Sequence, residues 1–418
     1  MPPVSQHAAP IVQLTQSSTS KEAVLREQVA DLHALAQLVA HEQDHAELGA
    51  RETRLGVMVT EYLAHGGDAV LEGAMEKAEL ALDADTAGEL GHQIEYASEW
   101  QELGALSNGQ ACEARLIAIP VILPDVRLLD HGRLPENAAT AELVESLRVH
   151  GLVAPSQGLT LVKYLYHPDE LDALPPSSVF KFCQQLALAE RNDVNPGAGW
   201  TPTAPGSAIS IEPVAGLRYL VGTVAGPVTA DSLLDPADQI VESAKMDAWR
   251  SHAAKLVQDA FTQAHGDLWK GRPVQVHAIS SFFAARRTGE VLYKGLDTLS
   301  ALLGVLQSTG IAAAKVSSVV APYIMEDETV SVVASLSSQF DGSVLGSTEY
   351  PVSAFELLDD ALNEVHAILI AQGIGQVAVS DALTKLERCE CCGDPEYLVP
   401  RFPSLDSPNV VPPGTVLH

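Results

Sequence analysis

Three cysteines near the C-terminus carry the strongest chemical signal in this sequence. Cys389 and Cys392 form a C-x-x-C pair that Gly393 follows, and Cys391 lies between them. Two thiolates at this spacing can bind one zinc ion, and the glycine lets backbone N–H groups approach the sulfurs. A tetrahedral site needs two more ligands, for which Cys391 and His418 are candidates. The sequence predicts a structural zinc site here; a twin site across a dimer axis, a redox pair and reduced surface thiols are the alternatives.

A second metal-binding pattern occurs in the N-terminal part of the chain. The letters from His41 to His45 are HEQDH, which matches the H-E-x-x-H motif of zinc metalloproteases on a helix. Asp44 between the ligands and Glu47 after them are unusual for such a helix, which is normally buried. Because a solvated acidic helix face explains the same letters, His41 and His45 are the weaker of the two predicted zinc sites.

Few residues are candidates for catalysis. His277 lies in the segment PVQVHAIS, which is typical of a β-strand, and Arg286 and Arg287 follow near the predicted start of a helix. A histidine that faces a pocket can act as an acid or base, and arginines can bind an anion. The simpler interpretations are a structural histidine and a solvent-facing arginine pair. An enzyme with a site between two sheets near His277 is therefore an alternative hypothesis.

The net charge restricts the partners that we expect. The chain carries 54 Asp and Glu residues against 25 Lys and Arg residues, which gives a formal net charge of −29 at pH 7. Such a surface repels phosphate backbones and anionic lipid, so direct nucleic-acid binding is not expected. Solubility or a salt-rich habitat, a basic protein partner, and imitation of nucleic acid are the three explanations that the sequence leaves open.

Cysteine usage and hydropathy favour the cytoplasm. Five cysteines, an odd number with three close together, form a poor disulfide framework and fit a reducing compartment. The N-terminus lacks a basic segment followed by an apolar one, so no signal peptide is predicted. No apolar run reaches the roughly eighteen residues that a membrane span requires. We therefore expect a cytoplasmic protein without a membrane segment.

The elements that would position these residues begin with helices. Residues 1–18 are rich in Ser, Thr, Gln and Pro without periodicity, and we predict a disordered leader there. Thr19 and Glu22 fit a capping box, and apolar residues at helical spacing follow them. The sequence therefore predicts an acidic helical layer over residues 19–105.

Two sheet domains are predicted to follow this layer. The apolar run RLIAIPVILP from Arg115 is typical of a buried strand and belongs to a first α/β sheet domain over residues 106–271. Residues 272–388 have the order strand–helix–strand–strand–helix–strand of a ferredoxin-like, split βαβ sheet, and the first domain fits the same order less cleanly. Residues 389–418 form a cysteine-containing, proline-rich tail. The predicted fold class is therefore α+β, with a helical layer, two ferredoxin-like sheets and a zinc-knuckle-like tail.

The C-terminal motif resembles that of an uncharacterised bacterial family, the domain of unknown function 2863 family. Proteins of this family end in a C-x-x-C-G-x-P knuckle with a histidine downstream, and Cys389, Cys392, Gly393, Pro395 and His418 match those places. Weaker similarity runs through the segments RLIAIPVILP, YLYHPDEL, LRYLVGTVAGPV and VVAPYIMEDETVSV. The resemblance implies the architecture and a metal site, but no reaction.

Together these patterns favour a non-enzymatic protein. Our first hypothesis is an intracellular scaffold or homo-oligomer with an acidic helical layer and a structural zinc site. The second is the enzyme near His277, and the third is an acidic protein that binds a basic partner or imitates nucleic acid. A protein partner or self-association is expected in the first and third cases.

Overall fold

The chain divides into two compact units in the computed structural model. One unit comprises Met1–Ala208 and Leu217–Arg287, and the other comprises Ile209–Gly216 and Thr288–His418. The structure describes residues 12–398, apart from gaps at 42–44, 82, 106–110, 127–131, 173, 192–215, 228–238, 267–268, 270–272, 354–355 and 389–394.

The first unit begins with a layer of helices that share one apolar core. These helices are α1 (Val12–Ala40), α2 (His45–Ala64), α3 (Asp68–Leu80) and α4 (Ala84–Glu99). Apolar residues at helical spacing, such as Leu32, Val59, Leu71 and Leu90, are fully buried or nearly so between them. The start of α4 is fixed by Asp83, whose carboxylate accepts a hydrogen bond of 3.1 Å from the N–H of Thr86.

The start of α1 differs from the prediction. The helix begins at Val12, so residues 12–18 are helical instead of belonging to the predicted leader. No glycine or proline occurs between Pro10 and the end of α1, so nothing in the sequence stops the helix from extending past the capping box at Thr19.

A six-stranded sheet completes the first unit. Its strands are β1 (Trp100–Ala105), β2 (Ala111–Leu123), β3 (Gly158–Tyr166), β4 (Gly216–Pro227), β5 (Gln275–Val276) and β6 (Ser280–Ser281). The order is β1-β2-β4-β3, and both β5 and β6 pair with β2. The edge of β2 that faces away from β4 is thus covered in turn by β1, β6 and β5, which leaves little of that edge unpaired.

Four further helices belong to this sheet: α5 (Ala138–Val149), α6 (Pro168–Asp172), α7 (Pro176–Arg191) and α8 (Gln239–His265). Trp249 of α8 is fully buried, and its indole N–H donates a hydrogen bond of 3.0 Å to the hydroxyl of Ser146 on α5. Phe261 stacks on Trp269 with 4.5 Å between ring centroids. These aromatic side chains anchor α5 and α8 to one core.

The helical layer and the first sheet form one unit, although the sequence predicts them as separate regions. The last residue of α4 is Glu99, and β1 starts at the next residue without a linker. Phe180 of α7 is buried among the apolar side chains of the helical layer. Shared packing of this kind cannot be detected from composition along the chain.

The second unit is built on a separate mixed sheet. Its elements are α9 (Phe282–Thr309), β7 (Val316–Ile324), β8 (Val330–Ser338), β9 (Val344–Pro351), α10 (Leu358–Ala371) and β10 (Gln376–Val379). The strands β7, β8 and β9 form an antiparallel meander, and β10 returns parallel to β7. Leu302, Val332, Tyr350 and Val365 are fully buried in the core that α9 and α10 form with this sheet.

The strand order β10-β7-β8-β9 differs from the predicted split βαβ order. The predicted first strand of this domain, near Val274–Ile279, is β5, and β5 pairs with β2 in the first sheet. The unit boundary after Arg287 falls inside α9. A boundary within a helix has no linker composition, so the sequence places it at the preceding turn. The coarser prediction of a mixed helix-and-sheet protein is confirmed.

Within the ranges that the structure describes, three short strands come after β10, and the first of them is the fifth strand of the second sheet. The strand β11 (Thr384–Lys385) pairs parallel with β7. The strands β12 (Glu387–Arg388) and β13 (Pro395–Glu396) pair antiparallel with each other. Among the described residues, no helix is long and apolar enough to cross a membrane.

Candidate functional site

A groove in the first unit is the clearest candidate for a binding site. Residues from α2, α4, β1 and α7 surround a volume of about 620 Å³ that is partly open to solvent. The groove lies where α4 passes directly into β1, so residues of both elements contribute to one wall. Its volume is within the range of roughly 300–1,000 Å³ that is common for ligand sites.

Two stacked aromatic rings form one wall of the groove. Tyr96 belongs to the last turn of α4 and Trp100 is the first residue of β1. Their ring centroids are 5.7 Å apart with an interplanar angle of 19°. The indole N–H of Trp100 donates a hydrogen bond of 2.5 Å to the carboxylate of Glu113, which fixes the ring. The guanidinium of Arg115 lies 5.9 Å from the centroid of Tyr96. This wall therefore already holds one cation against an aromatic face.

Among the described residues, the polar lining of the groove carries acceptors, amides and one imidazole but no lysine or arginine side chain. Glu102 is an exposed carboxylate in the lining, and His92 is an exposed imidazole. The amide of Gln101 donates to the backbone oxygen of Phe180 at 3.4 Å, and the amide of Gln93 donates to the carboxylate of Glu89 at 3.0 Å. The described lining therefore has a negative or neutral character.

Glu99, the last residue of α4, is not among the residues that line the groove, but its carboxyl group has an unusual pKa. Burial raises its pKa to about 7, although hydrogen bonds from the N–H of Phe283 and the side chain of Ser281 act in the opposite direction. The N–H of Phe283 is 3.2 Å from the Glu99 carboxylate and belongs to the first turn of α9. The carboxyl group therefore caps α9 and titrates near neutral pH.

The sequence did not single out these residues as a site. An aromatic pair at positions i and i+4, Tyr96 and Trp100, is visible in the sequence, but such a pair more often belongs to a core. Glu99 acquires its environment from a residue 184 positions away. No local pattern could have indicated it.

His277 is half-buried, and its ring Nε2 has no hydrogen-bond partner among the described residues. Its backbone N–H donates to the carbonyl of Pro120 at 2.9 Å, next to β5. Burial, followed by the positive charge of Arg250, lowers the pKa of His277. Burial and the nearby guanidinium therefore both favour the neutral form of the imidazole.

Arg286 and Arg287 are engaged by different partners. Arg286 donates to the carboxylate of Asp172 at 2.7 Å, and Arg287 donates to both oxygens of Glu95 at 2.6 and 2.8 Å. Both arginines and His277 lie in the first unit. The contacts that the structure gives for the three residues go to different elements, so no shared pocket among them is evident in the described part of the chain.

The histidines of the HEQDH segment lie on either side of a helix boundary. His41 follows the last residue of α1, whereas His45 is the first residue of α2. The imidazole of His41 is 3.8 Å from the carboxylate of Asp83. The two histidines therefore do not occupy successive turns of one described helix, and zinc binding by them stays a prediction.

The cysteines of the strongest predicted metal site, Cys389, Cys391 and Cys392, lie outside the described residues, as does His418. The strands β12 and β13 flank this segment, with Glu387 opposite Glu396 and Arg388 opposite Pro395. Among the residues that the structure does describe, no group of three or more His, Cys, Asp or Glu side chains could hold a metal ion.

The residues around the cysteine segment are tied to the second sheet. Leu386 is buried in a small cluster with Ala321 and Val333. The N–H of Leu398 donates a hydrogen bond of 2.7 Å to the hydroxyl of Tyr323. Both ends of the cysteine segment are therefore held close to β7.

Comparison with known proteins gives a family without an assigned activity. A family model described as "Protein of unknown function (DUF2863)" matches residues 17–407. No curated protein and no solved structure matches the chain.

Proposed function

Since this chain belongs to the DUF2863 family of proteins of unknown function, we propose that it is a non-enzymatic cytoplasmic scaffold whose C-terminal hairpin is held by a structural zinc ion. The observation that carries this proposal is the antiparallel pairing of β12 and β13 on the two sides of the cysteine segment. The free thiols of Cys112 and Cys183 are consistent with a reducing compartment.

The hairpin favours metal binding because it brings the ends of the cysteine segment together. Arg388 directly precedes Cys389, and its partner Pro395 follows Asp394, so the segment starts and ends at paired backbone positions. Loop closure between Cys389 and Cys392 then costs less entropy than in a free chain. The thiolates present are the donors that zinc prefers.

The ligand set that we propose is Cys389, Cys391, Cys392 and His418. Three thiolates and one imidazole satisfy a closed tetrahedral site, which leaves no open position for a substrate. Such a site stabilises structure and does not catalyse a reaction. A pair of hairpins from two chains is the alternative source of ligands, and it would couple zinc binding to self-association.

The attachment of the hairpin supports a structural role. The ring of Tyr397 contacts the ring of Tyr323 edge-on, with 5.5 Å between centroids, and Arg388 pairs with Glu326. These contacts hold the flanking strands against the second sheet in addition to any metal. Loss of zinc is therefore expected to loosen the hairpin without unfolding the second unit.

Native mass spectrometry with zinc quantification tests this proposal. The full chain should carry one zinc per protomer, Cys392→Ser should lose it, and Cys112→Ser, a half-buried cysteine on β2, should retain it. The same spectra give the oligomeric state. If Cys392→Ser still binds zinc, the assignment of Cys392 as a ligand is wrong, and His41 and His45 become the next candidate ligands. A metal-free full chain would overturn the structural zinc site.

The alternative of an enzyme near His277 receives less support. His277, Arg286 and Arg287 contact Pro120, Asp172 and Glu95 respectively, which belong to different parts of the first unit. Catalytic groups need to converge on one reacting atom. The scaffold proposal is therefore preferred.

A further inference from the structure

We propose that the groove between α2 and α4 is a docking site for a basic, arginine-containing peptide segment of a partner protein. This inference goes beyond the scaffold proposal and does not depend on zinc. The groove lies in the first unit, whereas the cysteine hairpin belongs to the second. Each proposal can therefore fail without the other.

The charge around the groove is complementary to a basic segment. In the described part of the chain, the lining contains the exposed carboxylate of Glu102 and no lysine or arginine. Arg115 contacts the aromatic wall of the groove, where its charge is paired with Glu113. Glu89 reaches the lining through its hydrogen bond to Gln93. The formal net charge of −29 for the whole chain adds a long-range attraction for cations. A basic segment is therefore favoured both at a distance and in contact.

The aromatic wall supplies the contact that a guanidinium group requires. Tyr96 is 37% exposed, and Trp100 lines the same wall. The chain's own Arg115 already lies 5.9 Å from the Tyr96 ring centroid and 3.5 Å from the carboxylate of Glu113. This arrangement of aromatic ring, guanidinium and carboxylate is a pattern that an incoming arginine can repeat.

The shape of the groove favours a peptide over a small cation. The volume of about 620 Å³ exceeds what one amine or guanidinium group fills. Val57, which is 62% exposed, provides an apolar contact on the opposite wall of α2. Gly56 lies next to it and is close to Gln93 of α4: a Cβ there would be 3.3 Å from the Gln93 amide oxygen. A segment with both apolar and basic side chains matches these walls.

A matched pair of variants separates groove binding from general attraction to an acidic protein. Val57→Lys places a positive charge in the groove, and Val149→Lys makes the same change at a 72% exposed position at the end of α5. Fluorescence anisotropy would measure the binding of a short labelled arginine-rich peptide to the full chain and to both variants. The same peptide with citrulline in place of arginine keeps the shape and removes the charge. Circular dichroism and melting curves confirm that both variants fold.

We expect the full chain and Val149→Lys to bind the arginine peptide equally well. Val57→Lys and the citrulline peptide should each weaken binding at least about tenfold, because each removes the charge complementarity at the groove. Equal weakening by both lysine variants would overturn the proposal, since it would indicate diffuse charge attraction. Absence of peptide binding would overturn it too. Spermidine is the small-amine control. If it binds as tightly as the arginine peptide and Val57→Lys weakens both equally, the proposal of a peptide site is wrong and the groove is a site for a small amine.

Discussion

Glu99 shows how a single residue gains its chemistry from distant parts of the chain. Its carboxylate ends α4 and lies against the first turn of α9, where burial raises its pKa to about 7. The charges of Glu95 and Arg287, which pair with each other at 2.6 Å, act on it in opposite directions. A half-buried carboxyl group of this kind makes stability depend on pH near neutrality.

The variant Glu99→Gln tests this environment, because it keeps the shape and an oxygen acceptor for the N–H of Phe283. The folded protein binds the Glu99 proton more tightly than the unfolded chain, so wild-type stability falls as pH rises from about 4.5 to 7. Relative to the variant, the wild type should lose roughly 1–3 kcal/mol between pH 5 and pH 8, the lower end being favoured by partial solvent exposure. Urea unfolding of both proteins at the two pH values measures this difference. A difference that does not change with pH would contradict the assigned pKa.

The two described cysteines should differ in reactivity. Cys183 is fully buried, and burial raises the pKa of its thiol. Its Sγ is 3.4 Å from the backbone oxygen of Glu99, to which it donates. Because the thiolate is the reactive form, iodoacetamide should spare Cys183 and modify the half-buried Cys112 in the native protein. Peptide mass mapping measures the modification of each cysteine. As a control, iodoacetamide should modify both Cys112 and Cys183 in urea. If Cys183 of the native protein is modified as fast as Cys112, the prediction is wrong.

At the scale of elements, β4 requires a glycine at one position of its pairing with β3. Gly222 pairs with Leu161, next to an irregularity of register between Leu161 and Leu165. A Cβ on Gly222 would overlap the carbonyl oxygen of Thr160 and would be 2.6 Å from a methyl group of Leu161. The strand pairing therefore leaves no room for a side chain at this position.

Gly222→Ala is therefore expected to lower the free energy of unfolding by about 2–3 kcal/mol, because β3 must move away. The matched change Gly88→Ala should instead raise it by about 0.5–1 kcal/mol. Gly88 lies in α4, and no atom of the described residues is within 4 Å of the position that its Cβ would take. Urea unfolding of both variants checks the opposite signs. Equal effects from the two substitutions would mean that the close approach at Gly222 is absent in solution.

At the scale of the whole molecule, the excess of negative charge should oppose folding. A formal net charge of −29 places like charges closer together in the folded state than in the unfolded chain. Sodium chloride screens these charges over a Debye length of about 10 Å at 0.1 M. The melting temperature should therefore rise between about 0.02 M and 0.5 M salt. A melting temperature that falls over this range would show that attractive ion pairs outweigh the repulsion.

The sequence predicted the molecule best where the determinants are local. Helical spacing identified the stripes of Leu32 and Leu90, and the apolar run from Arg115 identified β2. Pairing between distant strands has no such signal. The segment at Val274–Ile279 was correctly predicted to contain a strand, but that strand pairs with β2 in the first sheet and does not join the second sheet.

The same limit applies to the candidate sites. The spacing of Cys389 and Cys392 gives a motif that can be recognised from letters alone, and its zinc ion stays a prediction. The groove needs α2, α4, β1 and α7 together, since no one element carries enough of its lining. Likewise, Arg286 and Arg287 are adjacent in sequence but pair with Asp172 and Glu95, which lie more than a hundred positions earlier.

X-ray absorption at the zinc edge of the purified full chain tests the central claim most directly, because it counts the ligand atoms around the metal. The proposed site predicts about three sulfur atoms at about 2.3 Å and one nitrogen atom at about 2.0–2.1 Å. A spectrum with nitrogen and oxygen ligands and no sulfur would contradict the account, because it would place zinc away from Cys389, Cys391 and Cys392.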